Sequence, residues 1–146
     1  MSKPDLTNNL SWLFLQASFR SKQTLMRLAE EYDLSLPQLY TLVFMEPENP
    51  LQMNEIAAIL HCDPSNVTGI IDRMFAGKYI ERQEKPNDRR ARLVALTPEG
   101  IKLRDVITSR IAENQPKIFD NLNDEQKLEL TDLLKKLLAQ SPSLLQ

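Results

Sequence analysis

Three of the nine prolines in this 146-residue chain stand just behind a residue that caps helices: Ser35-Leu36-Pro37, Asp63-Pro64 and Thr97-Pro98. Proline's fixed φ and missing N–H suit a helix's first turn, and a Ser, Thr or Asp before it accepts a free N–H there. The chain is therefore cut into helices with defined starts. Gln38, three residues after Ser35, completes a capping box. Apolar residues at helical spacing (Leu10, Leu13, Phe14, Ala17, Leu25, Leu28) predict a long first helix from about Leu6 to Tyr32. Leu39, Leu42, Val43 and Met45 mark a second helix, stopped by Pro47 and Pro50, and Ile56, Ala57, Ile59 and Leu60 a third over Met53–Leu60. A fourth runs from Pro64 to about Gly77, with Val67, Ile70, Ile71 and Met74 inward and Ser65, Asn66, Thr68, Gly69, Asp72 and Arg73 outward. Thr97 opens a helix carrying Leu103, Val106, Ile107 and Ile111, which Pro116 ends or kinks near 112–115. Asn123 begins the last helix, whose leucines at 128, 130, 133, 134, 137 and 138 exceed what one short stripe needs.

Between the fourth and fifth helices, Tyr79–Glu84 and Arg92–Thr97 read as two strands joined through Lys85-Pro86-Asn87-Asp88. Ile80 and Arg82 alternate in the first, and Val94 and Leu96 share a face of the second. Only three glycines (69, 77 and 100) occur, which argues against a turn-rich all-β fold and a Gly-rich phosphate loop. Cys62 is the only cysteine and His61 the only histidine, so a disulfide within the chain, a closed zinc site and a Ser-His-Asp arrangement are not expected. The expectation is no enzyme, no catalytic residue, no metal and no cofactor. Lys3 is followed at once by Pro4 and Asp5, unlike a secretory signal, and the longest uncharged run, Leu6 to Phe19, has 14 residues including two asparagines. A cytoplasmic protein with no membrane partner is expected.

Charge is distributed unevenly. The whole chain carries −2, but residues 73–92 hold seven basic side chains and three acidic ones, leaving −6 on the remainder. A basic patch on an acidic body is a directional surface for a polyanion. Arg92 could instead pair with Glu81 or Glu84 across the strands. Two short helices joined by a tight turn, followed by a hairpin with a basic tip, describe a winged helix-turn-helix. Its second helix fits the major groove of DNA, and an arginine at the hairpin tip can enter the neighbouring minor groove.

Asp63-Pro64-Ser65-Asn66-Val67-Thr68-Gly69-Ile70-Ile71-Asp72-Arg73-Met74, then Ile80-Glu81-Arg82, then Asp88-Arg89-Arg90 leading to Leu96-Thr97-Pro98-Glu99-Gly100, closely resembles the MarR family of bacterial transcriptional regulators. The resemblance covers nearly the whole chain. It implies a mainly α fold with a small β-hairpin wing and long N- and C-terminal dimerisation helices. It also implies a homodimer on a roughly palindromic stretch of double-stranded DNA, acting usually as a repressor. A small phenolic or lipophilic effector, or oxidation of a cysteine, often releases such proteins. Arg90 matches the wing arginine of the minor groove and Asp88 the acid that holds it by a salt bridge. Ser65, Asn66 and Thr68 match positions near phosphates and bases, and Arg73 one that meets the DNA backbone; Lys85, Arg89 and Arg92 complete the candidate DNA-binding set. Three departures stand out. Gly69 replaces a frequent Arg or Lys, Lys78 replaces the glycine before the first wing strand, and Gln52 replaces a Ser or Thr cap on the third helix.

The chain thus reads as one domain over 1–146, with a DNA-binding region at 34–98 and dimerisation regions at 1–33 and 99–146. Trp12, Phe14, Phe19, Tyr40 and Phe44 read first as core or interface residues. Of these, Trp12, Phe19, Tyr40 and Phe44 are candidates for an effector pocket. Cys62, ahead of a helix N-terminus, is a candidate redox sensor. Two other readings are a redox-responsive regulator and a winged-helix protein–protein module without DNA binding.

Overall fold

The computed structural model describes residues 5–139. Its order is α1 (Leu10–Glu31), α2 (Leu36–Phe44), α3 (Met53–Leu60), α4 (Pro64–Ala76), β1 (Ile80–Lys85), β2 (Asp88–Leu96), α5 (Pro98–Glu113), a 3-10 turn (Lys117–Asn121) and α6 (Asp124–Leu138). This is mainly helical, with one antiparallel hairpin. None of the described helices is long and apolar enough to cross a membrane.

The capped starts form as the residues dictate. Ser35 N–H donates to Gln38 Oε1 (2.7 Å) and Gln38 N–H to Ser35 Oγ (3.4 Å) at the head of α2. Asn123 and Gln126 make the same reciprocal pair at α6. At α3 the Gln52 side chain makes no cap hydrogen bond, and the Glu55 carboxylate reaches back to the Gln52 N–H at 2.6 Å. The first helix begins four residues later than the apolar spacing indicates. Asp5 takes both the N–H and the hydroxyl of Thr7, and Asn9 Oδ1 takes the Trp12 N–H, so polar side chains divert residues 5–9 into a turn and a cap.

Lys22–Asn114 forms one compact unit. Its core joins Leu28 and Ala29 of α1, Leu39 and Leu42 of α2, Ile56 of α3, Val67, Ile71 and Met74 of α4, Ile80, Val94 and Leu96 of the hairpin, and Ile107 of α5. Each fully buried aliphatic side chain contributes about 1.5–3 kcal/mol. The unit is larger than 34–98, because the second half of α1 and all of α5 supply core residues. Leu51, just ahead of α3, pairs with Val94 through hydrogen bonds of 2.9 and 2.7 Å and so ties the base of β2 to the helical part.

The other unit joins the chain before residue 22 to the chain after 114. None of its described residues is buried. Leu10, Leu13, Phe14 and Phe19 of α1 are exposed, as are Leu128, Leu133, Leu137 and Leu138 of α6. Leu144 and Leu145, part of the expected dimerisation tail, lie outside the described residues.

At the helix-to-wing turn, Lys78 adopts φ 63°, the left-handed region that a glycine would enter without strain. Further on, a Cβ at Gly100 would run into the Tyr79 carbonyl oxygen. Lys78→Gly is expected to stabilise the fold by about 1 kcal/mol, and Gly100→Ala to destabilise it by about 1–3 kcal/mol. Urea unfolding of the two variants against wild type checks both signs.

Candidate nucleic-acid interface

Asp63 sets the start of α4. Its Oδ1 accepts both the N–H and the hydroxyl of Ser65 at 2.9 Å. From that cap Val67, Ile71 and Met74 turn inward, and Ser65, Asn66, Thr68, Gly69, Asp72 and Arg73 are all exposed on the other side. The Asn66 carboxamide and the Thr68 hydroxyl make no hydrogen bond among the described residues, and a Cβ built at Gly69 meets no atom within 4 Å.

The hairpin beside it differs from the strand boundaries read from sequence. Strand β1 begins at Ile80 and extends to Lys85, and β2 starts at Asp88 rather than Arg92. Pro86 and Asn87 alone make the turn. The register holds from Ile80↔Leu96 to Glu84↔Arg92, then shifts so that Lys85 faces Asp88. Arg89, Arg90 and Ala91 are thereby set in a bulge of β2, which re-aims side chains near the tip. The Asp88 carboxylate accepts the Arg90 backbone N–H at 3.0 Å. It acts on Arg90 through the main chain; no ion pair between the two side chains occurs among the described residues. Arg92 lies opposite Glu84 in register and Glu81 opposite Ala95.

Of the seven cations in this segment, Arg82 alone is engaged in an ion pair among the described residues. Its Nη2 lies 2.9 Å from Asp72 Oδ1, and its Cζ lies 5.4 Å from the centroid of the Phe75 ring. Arg82 thus joins the wing to the outer flank of α4, a role the sequence reading did not assign. The signal was present only as an Asp and an Arg ten residues apart on different elements. Arg73, Lys85, Arg89, Arg90 and Arg92, the basic members of the candidate set, are exposed and unpaired among the described residues, with Lys78 a sixth such cation.

A cavity of about 660 Å³ opens in the same unit. Its walls come from α1 (Lys22, Met26, Glu30), the segment entering α2 (Leu34 to Pro37, and Tyr40), the end of α3 with the turn after it (Leu60, Cys62), and α4 (Asn66, Ile70). Of the four aromatic candidates, Tyr40 lines it. Phe44 packs edge-on against Tyr40 with centroids 6.4 Å apart but lies outside the lining, as do Trp12 and Phe19. Cys62 is half-buried and belongs to the cavity wall. Among the described residues, no three His, Cys, Asp or Glu side chains are grouped to hold a metal ion.

Two short helices meeting at a tight turn, with a hairpin fastened to the flank of the second, make this a winged helix-turn-helix regulator of the kind that reads DNA. Comparison with known proteins agrees. A model described as the MarR family matches residues 34–91. The transcriptional repressor MdtR of Bacillus subtilis is 31% identical over 127 residues, covering 86% of this chain and 81% of its own. Among solved structures, a mutant of Staphylococcus aureus MepR bound to an oligodeoxyribonucleotide is 27% identical, with a TM-score of 0.60 over 88% of this chain and 95% of its own. Wild-type MarR of E. coli in its apo form superimposes at a TM-score of 0.79 over 94% and 98%; at 23% identity this likeness concerns the fold. The chain belongs to the MarR family, whose members are transcriptional regulators rather than enzymes.

Two outcomes follow from this geometry. Arg90→Ala is expected to weaken DNA binding by about 1–3 kcal/mol, and Arg73→Ala to flatten the slope of log K against log salt by about one. Titrations of each variant across a salt series measure both, and unchanged affinity and slope would remove these residues from the interface. The second outcome concerns pH. The Ser65 N–H, and after it the Ser65 hydroxyl, hold the Asp63 carboxyl below its ordinary 3.8. Asp63 therefore contributes stability above that value, lost as pH falls through the lowered one. Asp63→Asn keeps a cap that does not titrate, so its stability should fall less steeply than wild type between about pH 5 and pH 2.

Proposed function

We propose that this regulator is a repressor, binding a pseudo-palindromic operator as a homodimer and released by a small apolar effector. The observation that carries the DNA reading is the set of exposed, unpaired cations beside the free polar side chains of α4, on a chain whose net charge is −2. Ser65, Asn66 and Thr68 face bases and phosphates in this reading, Arg73 and Lys85 meet the backbone, and the bulged tip carries Arg89 and Arg90 to the minor groove.

The dimer is supported by the unit that has no buried residue among those described. Leu128 is 68% exposed and Leu137 61%, on a helix whose start is firmly capped. Burying such surface is worth about 25 cal/mol per Å², and a second copy is the partner that also presents two recognition helices about 34 Å apart. The effector reading rests on the cavity, whose volume lies within the range of small-molecule sites and whose wall is mostly apolar.

Selection of genomic fragments on the purified protein, followed by sequencing, tests the operator. Enrichment of sequences with inverted symmetry is the expected result, and retention without sequence preference would overturn it. Leu133→Glu with Leu137→Glu should turn a dimer into a monomer in sedimentation at low micromolar concentration. A monomeric wild-type protein would refute the two-fold operator model.

A further inference from the structure

The first two turns of α4 carry outward only short, uncharged side chains. At 3.6 residues per turn, Ser65 and Gly69 fall along the middle of the outward face, with Asn66 to one side of that line and Thr68 to the other. The first cation on the helix is Arg73, in its third turn. Ser65 is already engaged, since its hydroxyl donates to Asp63 Oδ1 at 2.9 Å. The Asn66 carboxamide makes no hydrogen bond among the described residues, and neither does the Thr68 hydroxyl. The hydroxyls of Thr41, Thr108 and Thr131, by contrast, each donate to the carbonyl one turn back on the same helix. Asn66 and Thr68 are therefore the polar side chains of these turns that stand open to a partner.

That pair is selective among bases. A guanine presents two acceptors in the major groove, which arginine or lysine meets, and these turns hold neither residue. An adenine presents an acceptor beside a donor, and a carboxamide matches it through two hydrogen bonds. Cytosine, with a single amino donor, makes one bond where adenine makes two. Thymine adds a methyl group, against which the methyl of a threonine packs. Gly69 acts in the same direction: it places no side chain between Asn66 and Thr68, so the helix backbone can approach the base edges closely enough for two short side chains to reach them. The wing makes a matching demand. Runs of A·T pairs narrow the minor groove and deepen the negative potential that draws arginine, and Arg89 and Arg90 stand exposed in the bulge of β2.

On the reading of α4 and the wing as the DNA-binding surface, we propose that Asn66 and Thr68 fix the class of operator this protein selects: half-sites whose major-groove core is A·T, with an adenine held by Asn66 and a neighbouring thymine packed on Thr68, flanked by an A·T-rich stretch under the wing. Asn66 supplies the discrimination against guanine. Thr68 supplies the smaller discrimination, through the thymine methyl.

The test begins with selection from a library of random duplexes by the full-length protein, beside Asn66→Ala, Asn66→Arg and Thr68→Ser. Wild-type half-sites should hold an adenine whose enrichment is lost in Asn66→Ala and gives way to guanine in Asn66→Arg. The selected duplex is then prepared with 7-deazaadenine at that position, or with uracil for the neighbouring thymine, so that base pairing is unchanged. 7-Deazaadenine lacks the N7 acceptor and should weaken wild-type binding about tenfold while leaving the affinity of Asn66→Ala where the natural duplex has it. Uracil should weaken wild type about fourfold, the value of one buried methyl group, and leave Thr68→Ser unmoved. Guanine at the position that depends on Asn66, a preference that survives Asn66→Ala, or a wild type indifferent to both base analogues would overturn the proposal while leaving the DNA-binding reading intact. Wild-type retention of duplexes without sequence preference would overturn the operator reading and the proposal with it.

Discussion

The root of the wing is fastened by Thr97. Its N–H donates to the Tyr79 carbonyl (3.0 Å), its hydroxyl donates to the Lys78 carbonyl (2.6 Å), and the same oxygen accepts the Gly100 N–H (3.1 Å). The end of β2 and the first turn of α5 are thereby held on the two residues that lead from α4 into β1. The hairpin cannot swing without disturbing the helix beside it. Two backbone demands follow: a left-handed residue at 78, and no side chain at 100. The chain meets the second with glycine and the first with lysine.

Charge at the interface is arranged by engaging the acids. Asp72 is bound to Arg82, Asp88 to the Arg90 N–H, and Glu81 accepts from Gln83. Each is thus turned to a neighbour in the hairpin or on α4, and most of the cations are left for a partner. The Asp72–Arg82 pair is exposed, and such pairs add about 0–1 kcal/mol to stability. What it contributes is position: with Phe75 under the guanidinium, it fixes the angle between wing and recognition helix.

Much of this was legible in the sequence because caps, prolines and helical spacing are local. The starts of α2, α4, α5 and α6 stand where Ser35, Asp63, Thr97 and Asn123 put them, and the outward residues of α4 are those the spacing indicates. The start of β2 was missed because a bulge is a register event: nothing in Arg89-Arg90-Ala91 announces that three residues find no partner on β1. Leu28 and Ile107 likewise join one core only once α1 and α5 are folded. The cavity bordered by α1, α2, α3 and α4 also depends on contacts across elements. Local chemistry writes the elements into the sequence; their mutual geometry emerges from packing.

Gly69 sits in the middle of the outward face of α4 with open space around it. A helix interior ordinarily loses about 0.5–1 kcal/mol for carrying glycine there, so this position is neither imposed by the core nor favoured by the helix. In the proposed DNA-binding role, any side chain placed at 69 would point at the groove, and it would disturb nothing behind it. Target preference at this site is therefore separable from folding. A duplicated copy of the gene could diverge in the sequences it recognises through this single position, long before the two proteins differed in structure.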